Sequence, residues 1–148
     1  MPFSPTLSIS MQPGTDGKVW VLDDDFEWET PFGLTITLFA GFEFDGASIP
    51  RLFWRVIGPP LAGPYAPAAA IHDLLYASEI VERKVADCLF NSAMKELGVP
   101  AWKRFLMHKA VRLGGGNSWK NHTDESVLRA RQFIKLSASP LLFDACGE

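Results

Sequence analysis

The chain has 148 residues, 47% of them hydrophobic and 21% charged, with a formal net charge of -3. That length buries a sizeable core without help from metals or disulfides, and that composition excludes a disordered chain. The charge is uneven: residues 1–50 carry one Lys against eight acids, whereas residues 51–148 carry thirteen Lys and Arg against nine. The excess of cations in the second part is too small to predict a nucleic-acid surface, which would need Lys103, Arg104, Lys109, Arg112, Lys120, Arg129 and Arg131 on one continuous face.

The opening segment, Met1-Pro2-Phe3-Ser4-Pro5, lacks a basic region followed by an apolar stretch, so no signal peptide is expected. No apolar run approaches the roughly 20 residues that span a bilayer. Residues 8–45 read as strands separated by turn signals, Pro13-Gly14 and Asp16-Gly17 among them. Leu34 to Leu38 alternates apolar and polar residues, as does Gly41 to Phe44, which is the pattern of half-buried strands. The expectation is a small N-terminal antiparallel meander with one wet face.

The period changes at Asp45-Gly46-Ala47-Ser48-Ile49-Pro50. Ser48 suits a helix N-cap and Pro50 a first turn. Helices are expected over 51–57, 67–76, 82–97 and 102–113, the last stopped by Gly114-Gly115-Gly116 as a C-cap and hinge. A further helix is expected over 123–134, and residues 137–148 read as a loose tail. The predicted fold is α+β: one domain over residues 1–136, with the meander packed on a bundle of about four helices. Cys88 sits in an apolar helical run and reads as a buried free thiol, with a disulfide to Cys146 in the tail as the alternative, so a reducing compartment is the default expectation.

One cluster carries the chemistry-bearing side chains. His72 and Tyr76 lie four residues apart, on one face of a helix, with Asp73 at its edge. Arg83 and Asp87 repeat the spacing on the next helix, and the short connection predicts an antiparallel hairpin that turns Asp87 toward His72. A His backed by a carboxylate holds one tautomer and accepts a proton from water. Asp45 and Asp73 together would grip a divalent cation. The plainer reading stands beside this one: an Arg and Asp at helical spacing form structural ion pairs, and a buried Tyr ties its hydroxyl to a neighbour. Ser48 near His72 is a candidate nucleophile as well as a cap.

Two resemblances follow from these residues. The blocks G-F-E-F-D-G-A-S-I-P-R, A-A-I-H-D-L-L-Y, E-R-K-V-A-D-C-L-F-N-S-A-M and A-V-R-L-G-G, from Gly41 to about Gly115, resemble a phage and prophage family known as domain of unknown function 1353. The resemblance implies phage or prophage origin and a polar pattern made by Asp45, Ser48, His72, Asp73, Tyr76, Arg83 and Asp87. It implies a place in the host cytoplasm or the virion, with other phage structural proteins as partners. The helix bearing H-D-x-x-Y, followed by an antiparallel helix bearing an acid, is also similar to the core of secreted phospholipase A-two enzymes. That similarity implies His72 as general base, Asp73 as calcium ligand, and Glu82 or Asp87 as the acid that orients His72. The glycine-rich calcium loop and dense disulfides of those enzymes are missing here. The expected function is a metal-assisted hydrolase acting on envelope or assembly substrate, or alternatively a non-enzymatic tail or neck subunit in which the motif is structural.

Overall fold

A computed structural model describes residues 3–4, 6–16, 19–44, 51–58 and 64–137. The fold is α+β. Six short strands come first: β1 (Phe3–Ser4), β2 (Ile9–Met11), β3 (Trp20–Leu22), β4 (Phe26–Glu29), β5 (Thr35–Leu38) and β6 (Glu43–Phe44). Five helices follow: α1 (Arg51–Ile57), α2 (Ala66–Ser78), α3 (Arg83–Glu96), α4 (Ala101–Lys120) and α5 (Asp124–Arg131), and then a last strand, β7 (Ile134–Ser137).

The expected single meander is two antiparallel sheets, ordered β1-β4-β5-β7 and β2-β3-β6. β4 and β5 form the tightest hairpin, with Trp28 opposite Ile36 and Phe26 opposite Leu38. These four side chains are buried, while Glu27 and Glu29 between them are exposed, as a two-residue period requires. The turn is closed by Thr30, whose Oγ1 accepts from the Phe32 and Leu34 amides. The acidic run does not simply interrupt the strands. Asp23 accepts hydrogen bonds from the Ser8 and Ser10 hydroxyls, and Asp25 accepts from the Ala40 amide, so both tie neighbouring loops together.

Two helix boundaries differ from expectation. The expected end of α4 at the glycines is wrong: the helix continues through Gly114-Gly115-Gly116 to Lys120. Tertiary packing outweighs the weak helix propensity of glycine here, because Gly115 lies directly against Tyr76. The last helix ends at Arg131 and not at residue 134. Ile134 and Leu136 instead pair with Leu38 and Ile36 at the edge of β5, so a segment from beyond the helices completes the first sheet.

The core joins the sheets to α2, which is buried along nearly its whole length, including Ala68, Ile71, Leu74 and Leu75. Trp28, fully buried in β4, donates its indole N–H to Glu96 Oε2 at 2.9 Å and so ties the first sheet to the end of α3. No helix among the described residues is long and apolar enough to cross a membrane. Among those residues no cysteine is free, and half-buried Cys88 is disulfide-bonded, which corrects the reading of an isolated thiol.

Candidate functional site

α2 and α3 form the expected hairpin, and its inner faces carry the polar cluster. The four-residue spacing stacks His72 on Tyr76, with ring centroids 4.2 Å apart, and Phe90 of α3 covers the imidazole at 4.6 Å. Asp87 enters from α3. Its Oδ1 meets His72 Nε2 at 2.7 Å and accepts from the Tyr76 hydroxyl at 2.6 Å. Its other oxygen, Oδ2, accepts from Arg112 Nη1 of α4 at 2.7 Å.

Arg83 closes the network from the opposite side. Its Nε donates to the Tyr76 hydroxyl at 3.1 Å, and Nη2 donates to the backbone carbonyls of Val111 and Arg112 at 2.8 and 2.6 Å. The Tyr76 hydroxyl therefore accepts from a guanidinium and donates to a carboxylate. Five side chains bind three helices through one chain of charge-assisted bonds.

His72 and Asp87 are both fully buried. Burial pushes the Asp87 carboxyl up, but hydrogen bonds and charge from His72, with bonds from Tyr76 and Arg112, outweigh it and hold the group below the usual carboxylate range. Burial pulls His72 down, opposed by the Asp87 bond and charge and reinforced by Arg83 and His108, so the imidazole is less basic than usual. At neutral pH the His72–Asp87 contact is thus a hydrogen bond from a neutral ring and not an ion pair. An ionised Asp87 only accepts, which assigns the proton to Nε2. Burial, followed by the bond to Asp87, also raises the Tyr76 hydroxyl, so it stays protonated.

Asp73 leans away from this network. With Tyr76 it lines a cavity of about 900 Å³ between the second sheet, the C-terminal half of α4, and α5. Phe42 and Phe44 form its apolar wall, and Asn117, Asn121 and Arg129 lie across from them. His122, also on this cavity, has Nδ1 3.0 Å from Glu79 Oε1. His72 and Asp87 are not on the cavity wall; Tyr76 is the member of the network that reaches it.

The structure thus brings together His72, Tyr76, Arg83 and Asp87 of the predicted set. Asp73 is placed beside them but faces the cavity. Of the two acids considered for orienting His72, Asp87 holds that position, whereas Glu82 is the exposed N-cap residue of α3. Asp45 and Ser48 lie outside the described residues. Among the described residues no group of three or more His, Cys, Asp or Glu side chains is placed to hold a metal.

Two participants lie outside the set expected from the sequence. Arg112, expected only as a surface cation, bonds to Asp87. Gly115 was read as a helix stop, although a Cβ there would stand 2.9 Å from the Tyr76 hydroxyl oxygen. Their signal was the i, i+3 spacing of Arg112 and Gly115, which puts both on the side of α4 that meets the hairpin.

Fold and site together define an α+β domain built around a buried His–Asp–Tyr–Arg network, with a carboxylate and a tyrosine opening onto a neighbouring cavity. The chain belongs to the family described as proteins of unknown function, DUF1353, whose pattern matches residues 20–111. It is also 41% identical over 96 residues to an uncharacterized protein, y4jT, of Sinorhizobium fredii (strain NBRC 101917 / NGR234). That match covers 64% of this chain and only 28% of the longer relative. No solved structure matches the chain.

Proposed function

We propose that this chain is a phage- or prophage-encoded hydrolase in which His72 is the general base, Asp87 its orienting acid, and Asp73 the first carboxylate of a divalent-cation site. The observation that carries the reading is the 2.7 Å bond between His72 Nε2 and Asp87 Oδ1. It fixes the tautomer, and the depressed basicity of the ring keeps it neutral and able to take a proton at neutral pH. Asp73, one residue on, directs a hard oxygen donor to the cavity, the ligand type that calcium and magnesium accept. A second oxygen ligand falls to Asp45, outside the described residues. In the base role, His72 takes a proton from water as the water attacks a carbonyl or phosphoryl centre of an envelope or assembly substrate and the leaving group departs with that proton, a step that requires the enclosed imidazole to open toward the cavity.

A second reading rests on a different observation. His72 and Asp87 are fully enclosed, and Arg83 grips two carbonyls of α4, as a purely structural pin would do. In that case the chain is a non-enzymatic virion component. Asp73→Asn separates the two readings, because Asp73 lies outside the pin. The test measures calcium, magnesium and manganese binding by titration calorimetry, and release of soluble products from purified bacterial envelopes. The hydrolase reading expects cation-dependent release that Asp73→Asn abolishes while the melting temperature is kept. A wild-type protein that neither binds these cations nor releases product would overturn it.

A further inference from the structure

α4 is apolar on two opposite sides. One side, with Met107, Ala110, Val111 and Gly115, is buried against the bundle. The other carries Trp102, Phe105, Lys109 and Leu113 at positions i, i+3, i+7 and i+11, one stripe on the solvent side. Trp102, Phe105 and Leu113 are 60%, 61% and 81% exposed, values that lone surface residues reach but that rarely coincide along one stripe. The Lys109 ammonium sits 5.5 Å from the Phe105 ring centroid, its stem lying along the same stripe. α1 packs on α4 and adds exposed Leu52 and Val56.

The charge on these helices is one-sided. α1 and α4 carry seven Arg and Lys between them and no Asp or Glu. The acids concentrate instead in the strand region, residues 1–50. Arg112 is paired with Asp87, but Lys109 and Lys120 lie on the stripe, and a surface that joins protruding Trp, Phe and Leu side chains to such cations complements one kind of partner best. Anionic headgroups take the cations, and the acyl boundary below takes the apolar tips. Nucleic acid would match the charge but gains little from Leu52, Val56 and Leu113, since bases stack on aromatic rings and not on aliphatic chains.

We infer that α1 and the exposed side of α4 form a docking face for an anionic lipid bilayer. Of the α4 residues on the cavity wall, Gly114 and Ser118 lie on another side of the helix, whereas Asn117, four residues after Leu113, borders the stripe. The chain therefore sits on the membrane surface through α1 and the exposed side of α4. This inference is independent of whether His72 performs chemistry.

Vesicle co-sedimentation tests it, with phosphatidylcholine alone compared with phosphatidylcholine plus phosphatidylglycerol, at low and high salt. The full chain is expected to pellet with the anionic vesicles only, and less at high salt. Trp102→Ser with Phe105→Ser, and separately Lys109→Glu with Lys120→Glu, should each reduce binding about tenfold with circular-dichroism melting unchanged. Leu113→Gln alone serves as the second variant should the double aromatic change disturb folding. Failure of the wild type to bind anionic vesicles at low salt overturns the inference, as does wild-type binding by all three variants. A concentration-dependent dimer that Trp102→Ser dissolves, with no vesicle binding, would also overturn it and assign the face to a second copy of the chain.

Discussion

Asp87 accepts three hydrogen bonds inside a dry interior, from His72, Tyr76 and Arg112. Removing the carboxylate leaves a guanidinium without its partner and a tyrosine hydroxyl without an acceptor. Asp87→Ala should therefore cost about 3 kcal/mol, since breaking one side of a buried pair exposes the full desolvation penalty of the other. In urea denaturation this reads as a lowered midpoint with an unchanged slope; a midpoint equal to the wild type would mean that the network carries no stability. The pH dependence follows from the same residues. The folded His72 is less basic than an unfolded one, so its contribution is complete above about pH 6.5 and is lost as pH falls through its lower folded value. The depressed Asp87 keeps its contribution above about pH 4 and loses it as pH falls through its own folded value. Stability should thus be flat between about pH 7 and 9, decline in two stages toward acid, and decline again above about pH 10, where an unfolded tyrosine ionises but the raised Tyr76 does not. His108 is lowered as well, mainly by burial, and contributes to the first stage. Melting curves of His72→Gln against wild type isolate the His72 share: the variant should show a shallower decline as pH falls below about 6.5.

At the scale of elements, α4 holds its course through three glycines because of what it touches. A Cβ at Gly115 would stand 2.9 and 3.0 Å from the Tyr76 hydroxyl and ring, whereas one at Gly116 would meet only the Arg83 guanidinium, at 3.7 Å and beyond. Both substitutions to alanine improve helix propensity by up to about 1 kcal/mol. Gly115→Ala should nevertheless destabilise by about 1–3 kcal/mol, because Tyr76 cannot retreat without loosening its bond to Asp87. Gly116→Ala should stabilise by a few tenths to about 1 kcal/mol. Thermal melts of the pair decide it, and equal shifts in one direction would contradict the packing argument.

The whole molecule is held together by a few long-range ties. Trp28 reaches from the first sheet to Glu96 at the end of α3, a separation of 68 residues. Glu96→Ala strands a fully buried indole N–H and should cost about 1–3 kcal/mol, read as a lowered melting temperature. β7 closes the same sheet by pairing with β5. A chain truncated after residue 131 leaves β5 as an open edge and uncovers Ile36 and Leu38, so it should lose cooperative unfolding and aggregate. A sharp, reversible transition in that truncation would show β7 to be dispensable.

The strand–helix order, the start of each helix to within about two residues and the pairing of His72 with Asp87 were legible in the sequence. Periods of two and 3.6 residues, capping residues and a short interhelical turn are local features, and local features constrain short stretches of chain. The division into two sheets, the return of Ile134–Ser137 to β5, the straight passage of α4 through its glycines and the entry of Arg112 were decided only by tertiary structure. Each depends on contact between segments far apart in the chain, where the free energy of packing a specific partner exceeds the intrinsic preference of the segment itself. The same physics separates Asp73 from its neighbour His72. Adjacent in sequence and both buried, one lines a cavity and the other does not, because successive helix positions are turned about 100° apart.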